Sequence, residues 1–404
     1  MASWMKRITS IWQPDSGTNQ VIALQNETKK SRAHGLISLH STGNPVWTPR
    51  NYQAFAKEGF TENAVGFRCV KMIAEAASSI NWHVVEEGRK FDDHPLLTLL
   101  KKPNPAESGC TLMESFYGFL QIAGNAYLEA TSLDDHVREL HVLRPDRMKV
   151  IPGNNGWPQA YQYAVNGASV RFDQSDEPIA PILHMKLFNP VDDHYGMSPF
   201  EAAAKGIDIH NAAGAWNKAL LDNAARPSGA LVYDSKNGDT NLTEEQFDRL
   251  KSELENTFQG SANAGRPMVL EGGLDWKPLS HSPKDMEHIE AKHVAAREIA
   301  LAFGVPPMLL GIPGDNTFSN YAEANKTFWR QTVLPLVDKA SQSLGNWLSP
   351  AFGGNVSLAY NIDSISALNR ERETLWKMVS AANFLTDAEK RQLTGLEPLA
   401  DNQG

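Results

Sequence analysis

Phe303-Gly304-Val305-Pro306-Pro307-Met308-Leu309-Leu310-Gly311-Ile312-Pro313-Gly314 interrupts what would otherwise be one very long helical pattern. Upstream, Ser282-Pro283-Lys284-Asp285 reads as a serine N-cap followed by proline at the first helical position and an acid in the first turn. Met286, Ile289, Val294, Ile299 and Phe303 then recur at a helical period. Gly304 stands where a C-terminal glycine belongs, and Val305-Pro306-Pro307 cannot continue the helix. Downstream, the polar run Asp315-Asn316-Thr317-Phe318-Ser319-Asn320 leads into a second helix, Tyr321 to about Leu348, with Trp329, Leu336, Leu344 and Trp347 along it. Pro335 inside that helix predicts a kink near its middle. A capped helix, a rigid break, a polar tip and a kinked return helix together project a loop away from a scaffold.

The rest of the chain supplies that scaffold. Its 404 residues suit two to three domains, and 41% hydrophobic with 21% charged residues is a globular composition. A net charge of −9 excludes a tight nucleic-acid binder, whose affinity would come from Lys and Arg neutralising phosphates. Cys69 and Cys110 are too few for a disulfide framework, so a reducing compartment is expected. Met1 to Gln13 lacks the apolar core of a signal peptide. The most apolar run, Ile299 to Gly314, is broken by Gly304, Pro306, Pro307 and Gly311 and falls short of a membrane span. A soluble, unexported protein with no membrane partner is expected.

Residues 1–60 are polar and turn-rich and predict a loosely ordered arm with short strands. An α+β region follows over 61–197. It begins with a helix from Asn63 to Ser79 that places Val65, Cys69, Met72, Ile73 and Ala76 on one face. A strand at Trp82–Glu86, a short helix at His94–Leu100 and a helix capped by Thr111 come next. Strands are expected at Ala126–Ala130, Glu139–Val142, Met148–Ile151, Gln159–Val165 and Ile182–Leu187. Ser198-Pro199-Phe200-Glu201 has the form of a capping box. It opens an alanine-rich helix of about 28 residues, ending near Ala225 before Pro227 (198–226), whose small side chains allow close helix approach. Residues 227–281 form a compact insert: strands at Ala230–Tyr233, Met268–Leu270 and Leu274–Leu279, and a helix opened by Thr243-Glu244-Glu245-Gln246. Two polar helices are expected from Ser364 onward.

Several phrases, in this order, resemble the phage portal (head–tail connector) family of long-tailed phages and gene transfer agents. They are Gly124-Asn125-Ala126-Tyr127, Arg144-Pro145-Asp146, Tyr195-Gly196-Met197-Ser198-Pro199, Ala225-Arg226-Pro227-Ser228-Gly229, Phe303-Gly304-Val305-Pro306-Pro307 with Leu310-Gly311, and Leu334-Pro335. Each is weak alone; together they cover roughly Asn63 to Pro398. The resemblance implies a portal fold: an α/β wing (61–197), a long-helix stem (198–226 and 282–303), a small α/β clip (227–281), a tunnel loop (304–325), a kinked long wing helix (326–350) and a short C-terminal wing and crown segment (351–404). It implies a ring of about twelve copies at one capsid vertex, assembled in the bacterial cytoplasm and carried in a virion or virus-like particle. Double-stranded DNA would pass through its channel. Further implied partners are the large terminase, the major capsid protein and a head–tail adaptor. A negative net charge is compatible with such a conduit, where DNA slides without being held. On this resemblance, Asn316, Thr317, Phe318, Ser319 and Asn320 of the loop face DNA. Lys326 and Arg330 meet phosphates or acids of a neighbouring subunit, and Arg266 and Lys277 line the clip channel.

There is no G-x-x-x-x-G-K-[ST] loop, no G-x-S-x-G elbow and no H-E-x-x-H pair. His281, His288 and His293 near Glu287 and Glu290 are the best metal candidates, but a spacing of five separates His288 from His293 around a helix. Arg144 with Asp146 reads as a structural ion pair, and Asp192-Asp193-His194 as a polar turn. No catalytic residue, metal or cofactor is expected. The alternatives are a metal-dependent hydrolase using those histidines and a monomeric helical adaptor.

Overall fold

A computed structural model describes residues 47–174, 178–222, 229–233, 243, 245–250, 252, 274–278, 288–313, 318–362 and 365–395. Expectations for residues 1–46, Arg266, the strand at 268–270, the helix start at Ser282 and the loop residues Asn316 and Thr317 lie outside these. The described architecture belongs to the unit Trp47–Gly404.

Asn51 caps the first helix, α1 (Tyr52–Ala54), its Oδ1 accepting from the Ala54 amide at 2.9 Å. The helix runs on as a π-helix, Phe55–Thr61. The expected loose arm therefore stops short of residue 60: Phe55 is buried and stacks on Phe200, which fixes this segment to the body. Asn63 then caps α2 (Ala64–Ser78), accepting from the Val65 and Gly66 amides at 3.0 Å each. The next elements are β1 (Trp82–Glu86), β2 (Arg89–Phe91), α3 (Pro95–Lys101) and α4 (Gly109–Ala123). His94, not a hydroxyl residue, caps α3 through Nδ1. Ser108 caps α4 in place of the expected Thr111, because its hydroxyl accepts from the Thr111 amide at 3.2 Å.

Strands β3 (Asn125–Leu133), β4 (His136–Leu143), β5 (Met148–Pro152), β6 (Pro158–Val165), β7 (Ala168–Asp173) and β8 (Ile182–Lys186) follow. They form two antiparallel three-stranded sheets, ordered β4-β3-β8 and β5-β6-β7. The long helix α5 (Pro199–Asp222) spans 24 described residues, about 36 Å at 1.5 Å per residue. In the insert, β9 (Gly229–Tyr233) and β10 (Leu274–Pro278) pair antiparallel, with Ala230 opposite Lys277. The Thr243 box is formed: its Oγ1 accepts from the Gln246 amide at 3.3 Å, and the Gln246 side chain accepts from the Thr243 amide at 3.0 Å.

The chain returns through α6 (His288–Ala302), a 3₁₀ turn at Pro307–Leu310, α7 (Phe318–Phe328), a π-helix at Trp329–Val333, and α8 (Leu334–Leu348). The change to π turns falls immediately before Pro335, which cannot donate an amide to the carbonyl one turn earlier. The expected irregularity is thus a π segment. Strand β11 (Val356–Tyr360) then pairs with the distant β1, Val84 opposite Leu358, completing the sheet β11-β1-β2. Finally come α9 (Asn369–Ala381) and α10 (Asp387–Leu393), the latter opened by a reciprocal Thr386–Glu389 box.

The architecture is α+β. Its main core gathers Cys69 and Ile73 of α2, Phe116 and Leu120 of α4, Val84, Leu358, and Val337 and Leu344 of α8, all buried. At roughly 1.5–3 kcal/mol for each large apolar side chain removed from water, this shared core fixes the α2–α4 pair on the β1 and β3 sheets. Burial pushes the Cys69 thiol up to about 12, so it behaves as a core apolar group. Both cysteines are free.

Candidate functional site

The site grows from the pairing of α5 with α6. Ala203, Ala204, Ile207 and Ala213 of α5 are buried, as are Ala295, Ala296, Ile299 and Ala300 of α6. The alanines let the backbones approach: a Cβ on Gly206 would meet the Ala295 carbonyl at 3.4 Å. The close approach expected from the alanine-rich sequence is therefore made inside one chain. It also reverses part of the expected stripe, since Ile289 and Val294 point to solvent at 68% and 47% exposure. Beyond Ala213 in α5, and before Ala295 in α6, no described residue is fully buried. Among the described residues the buried positions gather at one end of the pair, and the anchor there is aromatic. Phe200 near the start of α5 is fully buried, with the Phe55 ring stacked at 6.3 Å and the Phe303 ring edge-on at 4.9 Å.

Polar groups fix the same foot. Asn63 Nδ2 donates to Asn211 Oδ1 at 2.8 Å and lies 3.1 Å from His210 Nδ1, and Asn211 donates to the Glu58 carbonyl at 2.9 Å. Ser198 accepts from the Phe200 amide at 3.0 Å and donates to the Gln121 carbonyl at 2.8 Å, so the cap of α5 also ties it to α4. Two phrases far apart in sequence meet here. The Gly196 amide donates to Asn125 Oδ1 at 2.7 Å, and a Cβ on Gly196 would lie 2.1 Å from the Gly124 carbonyl oxygen. Below them His184 stacks on Tyr127 at 4.2 Å, with Nε2 3.0 Å from Asn125 Oδ1. Burial, helped by the charges of Lys186 and His194, pulls its pKa down to about 3 and keeps the ring neutral.

At the far side of the foot, α6 ends as the sequence predicts. Gly304 adopts φ +66° and the Val305 amide donates back to the Ala300 carbonyl at 2.9 Å. Thr332 of the π segment donates to the Gly304 carbonyl at 2.5 Å. Ile312 packs on Ala296 and Ala300, and Arg297 donates to the Pro313 carbonyl at 2.5 Å. The break is thus held at both of its ends, and the chain leaves it at a fixed place.

The loop candidates divide. Phe318, Ser319 and Asn320 belong to the first turn of α7 and not to the polar tip, so the helix begins three residues sooner than expected. A helix tolerates Ser and Asn in its first turn, where amides need no intrahelical partner. Asn320 is exposed. Lys326 is half-buried and pairs with Glu323 at 2.5 Å. Arg330 is exposed in the π segment, where it lines a groove against the C-terminal helices. Lys277 is exposed on β10. The structure therefore places Lys326 and Arg330 on one helical segment and Lys277 on the antiparallel β9–β10 pair.

The other candidates are structural. Arg144 and Asp146 make a two-pronged pair at 3.1 and 2.9 Å. Asp192 accepts from the His194 and Tyr195 amides at 2.7 and 2.9 Å. The Tyr195 bond is the largest cause of its depressed pKa. His293 lies close enough to His210 to disfavour its charge, after burial and Lys292. Among the described residues no three His, Cys, Asp or Glu side chains are grouped to hold a metal ion. Among them also, no helix is long and apolar enough to cross a membrane.

This is the geometry of a scaffold that fixes the chain at Pro313 and again from Phe318. The chain belongs to the phage portal protein family, whose model matches residues 64–395; it is a family of structural components and not of enzymes. A solved chain in the neck of an empty gene transfer agent (GTA) particle is 52% identical, covers 88% of this chain and 96% of its own length, and superposes with a TM-score of 0.72. A chain in the neck of a native GTA particle, solved with C12 symmetry, is 52% identical over the same shares with a TM-score of 0.70. The portal protein of Enterobacteria phage HK97 is 25% identical over 82% of this chain and 78% of its own.

Proposed function

We propose that about twelve copies of this chain close into a ring at one capsid vertex, in the neck of a particle of the GTA type, and that double-stranded DNA passes through the centre. The observation that carries this is the 52% identity, over 88% of the chain, to the chain in the C12 neck. Residues 61–197 then form the wing, α5 and α6 the stem, 227–281 the clip, 304–325 the tunnel loop with the first turns of α7, and 351–404 the last of the wing and the crown. The burial of α5 and α6 supports this assignment: among the described residues it is deep at the foot and shallower beyond Ala213, which suits helices that also meet neighbours.

In this reading the large terminase docks while the particle fills, and a head–tail adaptor binds afterwards; the major capsid protein surrounds the ring. Asn316, Thr317, Phe318, Ser319 and Asn320 face the DNA, with Lys326 following them. Arg266 and Lys277 face the clip channel. A net charge of −9 suits a wall past which a polyanion slides, since every neutralised phosphate adds affinity. The test of the loop is the double change Asn316→Ala and Phe318→Ala in the intact particle system. Packaged DNA per particle should fall while ring formation persists. Unchanged packaging and particle yield would remove the loop from the account.

A further inference from the structure

The segment between β8 and α5 is a loop closed at its base on the C-terminal end of α4. The Leu187 amide donates to the Gly124 carbonyl at 2.9 Å, and Gly196 lies against the same carbonyl. Inside the loop Asn189 accepts from the Val191 amide and donates to the Tyr195 carbonyl, and Asp192 accepts from the His194 and Tyr195 amides. This order leaves Phe188 83% and Val191 88% exposed. A loop ordered before binding loses little further freedom on docking. The tip carries two exposed carboxylates, Asp192 and Asp193, against one ammonium, Lys186, which is turned to the Asp193 carbonyl.

The opposite end of α4 holds a pocket of about 250 Å³. Trp82, Leu97, Leu100 and Met113 supply its apolar lining, and Lys101 and Cys110, both exposed, line it too. There is no carboxylate among its described lining residues. Gly109 and Cys110 belong to the first turn of α4, and a helix N-terminus favours negative charge. Among the described residues neither the Lys101 nor the Asp193 side chain makes an ion pair or a hydrogen bond.

Loop and pocket are held apart by α4 itself. That helix has 15 residues, about 22 Å at 1.5 Å per residue, and its buried Phe116 and Leu120 fix it in the core. Residues 188–195, pinned at both ends, extend no more than roughly 13 Å from their base. The loop therefore falls short of the pocket in its own chain.

We propose that the Phe188–Asp193 loop of one subunit enters the Trp82–Lys101–Cys110 pocket of the next. The occupant is a second copy of this chain, identified by complementarity: an apolar tip of net negative charge meets an apolar pocket with an unpaired lysine. Two unlike patches at opposite ends of one rigid helix make a head-to-tail contact, which repeats around a closed ring. Apolar burial supplies the attraction, and Asp193 against Lys101 sets the register. The proposal rests on the ring reading and gives that ring a named contact.

The native Cys110 reports on the contact, since Cys69 is buried. The full chain carrying Val191→Cys, treated with a short bismaleimide, should give a denaturing-gel ladder of two, three and more chains. Wild type should give none, and Val191→Cys with Cys110→Ser should give none. In wild-type rings the Cys110 thiol should react with a maleimide more slowly than in Phe188→Ser with Val191→Ser, which should also lose the ring in native mass measurement. Lys101→Asp or Asp193→Lys alone should weaken the ring, and the two together should restore it.

A wild-type ring with no ladder from the Val191→Cys chain overturns the contact and leaves the ring reading intact. A wild-type chain that never forms a ring defeats the ring reading and the contact with it. A cross-link confined to single chains places loop and pocket together within one subunit and overturns the proposal. So does a ring that survives the Phe188 and Val191 changes but no longer attaches another neck component, which would assign the loop to that partner.

Discussion

Truncating Phe200 to alanine should loosen the foot on which the long helices stand. The ring is wholly buried between Phe55 and Phe303. Gly59 and Gly66 lie against it so closely that a Cβ on either would come within 2.7 or 2.8 Å of the ring. Those glycines belong to helical backbone, which cannot fold inward to fill the space left by six ring carbons. Phe→Ala changes in cores cost 3–5 kcal/mol, with the spread set by how far a site can collapse. A rigid surround places this one in the upper half, at about 4 kcal/mol. With a urea slope of about 3 kcal/mol per molar, the midpoint falls by roughly 1.3 M. Urea titration followed by near- and far-UV circular dichroism, with Phe200→Leu as the milder control, reads the shift. A loss below about 1 kcal/mol would refute the claim that one ring anchors both α5 and α6.

The remaining predictions test neighbouring parts of the scaffold. Gly196→Ala should yield misfolded protein or a loss above about 3 kcal/mol by urea titration, because the new Cβ would stand 2.1 Å from the Gly124 carbonyl oxygen. Tyr117→Phe should hold or raise stability by up to about 1 kcal/mol, since the hydroxyl it removes is buried without a hydrogen-bond partner; thermal melting measures it. His184 has a folded pKa depressed from 6.5 to about 3, so the unfolded chain binds the extra proton. Its contribution to stability is complete above about pH 6.5 and is lost as the pH falls toward 3. Stability measured from pH 7 to 4 should decline, and His184→Gln should flatten that part of the decline.

Local signals were the most legible part of the sequence. The helix start at Asn63 and the Thr243 box are read from a few neighbouring residues, as is the Gly304-Val305-Pro306-Pro307 break, and each forms as such. Non-local pairings were harder to read. Val356-Ser357-Leu358-Ala359-Tyr360 alternates as a strand should, but its partner β1 lies about 270 residues away, as the Ser357–Val85 bond shows. Strand β7 escaped because most of it is exposed and carries little apolar signal. The inward face of α6 is hidden for a different reason. Ala295 lies against Gly206 of α5, Ala296 and Ala300 pack with Ile312, and such small residues leave no apolar stripe for the sequence to show. The candidate loop was legible as a place and not as a geometry: the break that launches it is visible in the sequence, whereas the start of α7 at Phe318 is set by the fold.

The central claim is that copies of this chain surround DNA. Electron-microscope images of the purified full-length protein, averaged end-on, test it most directly. A closed annulus of about twelve subunits with an open centre wide enough for a duplex is the result the account predicts. Single separate chains under all assembly conditions, or a closed particle with a filled centre, would contradict it.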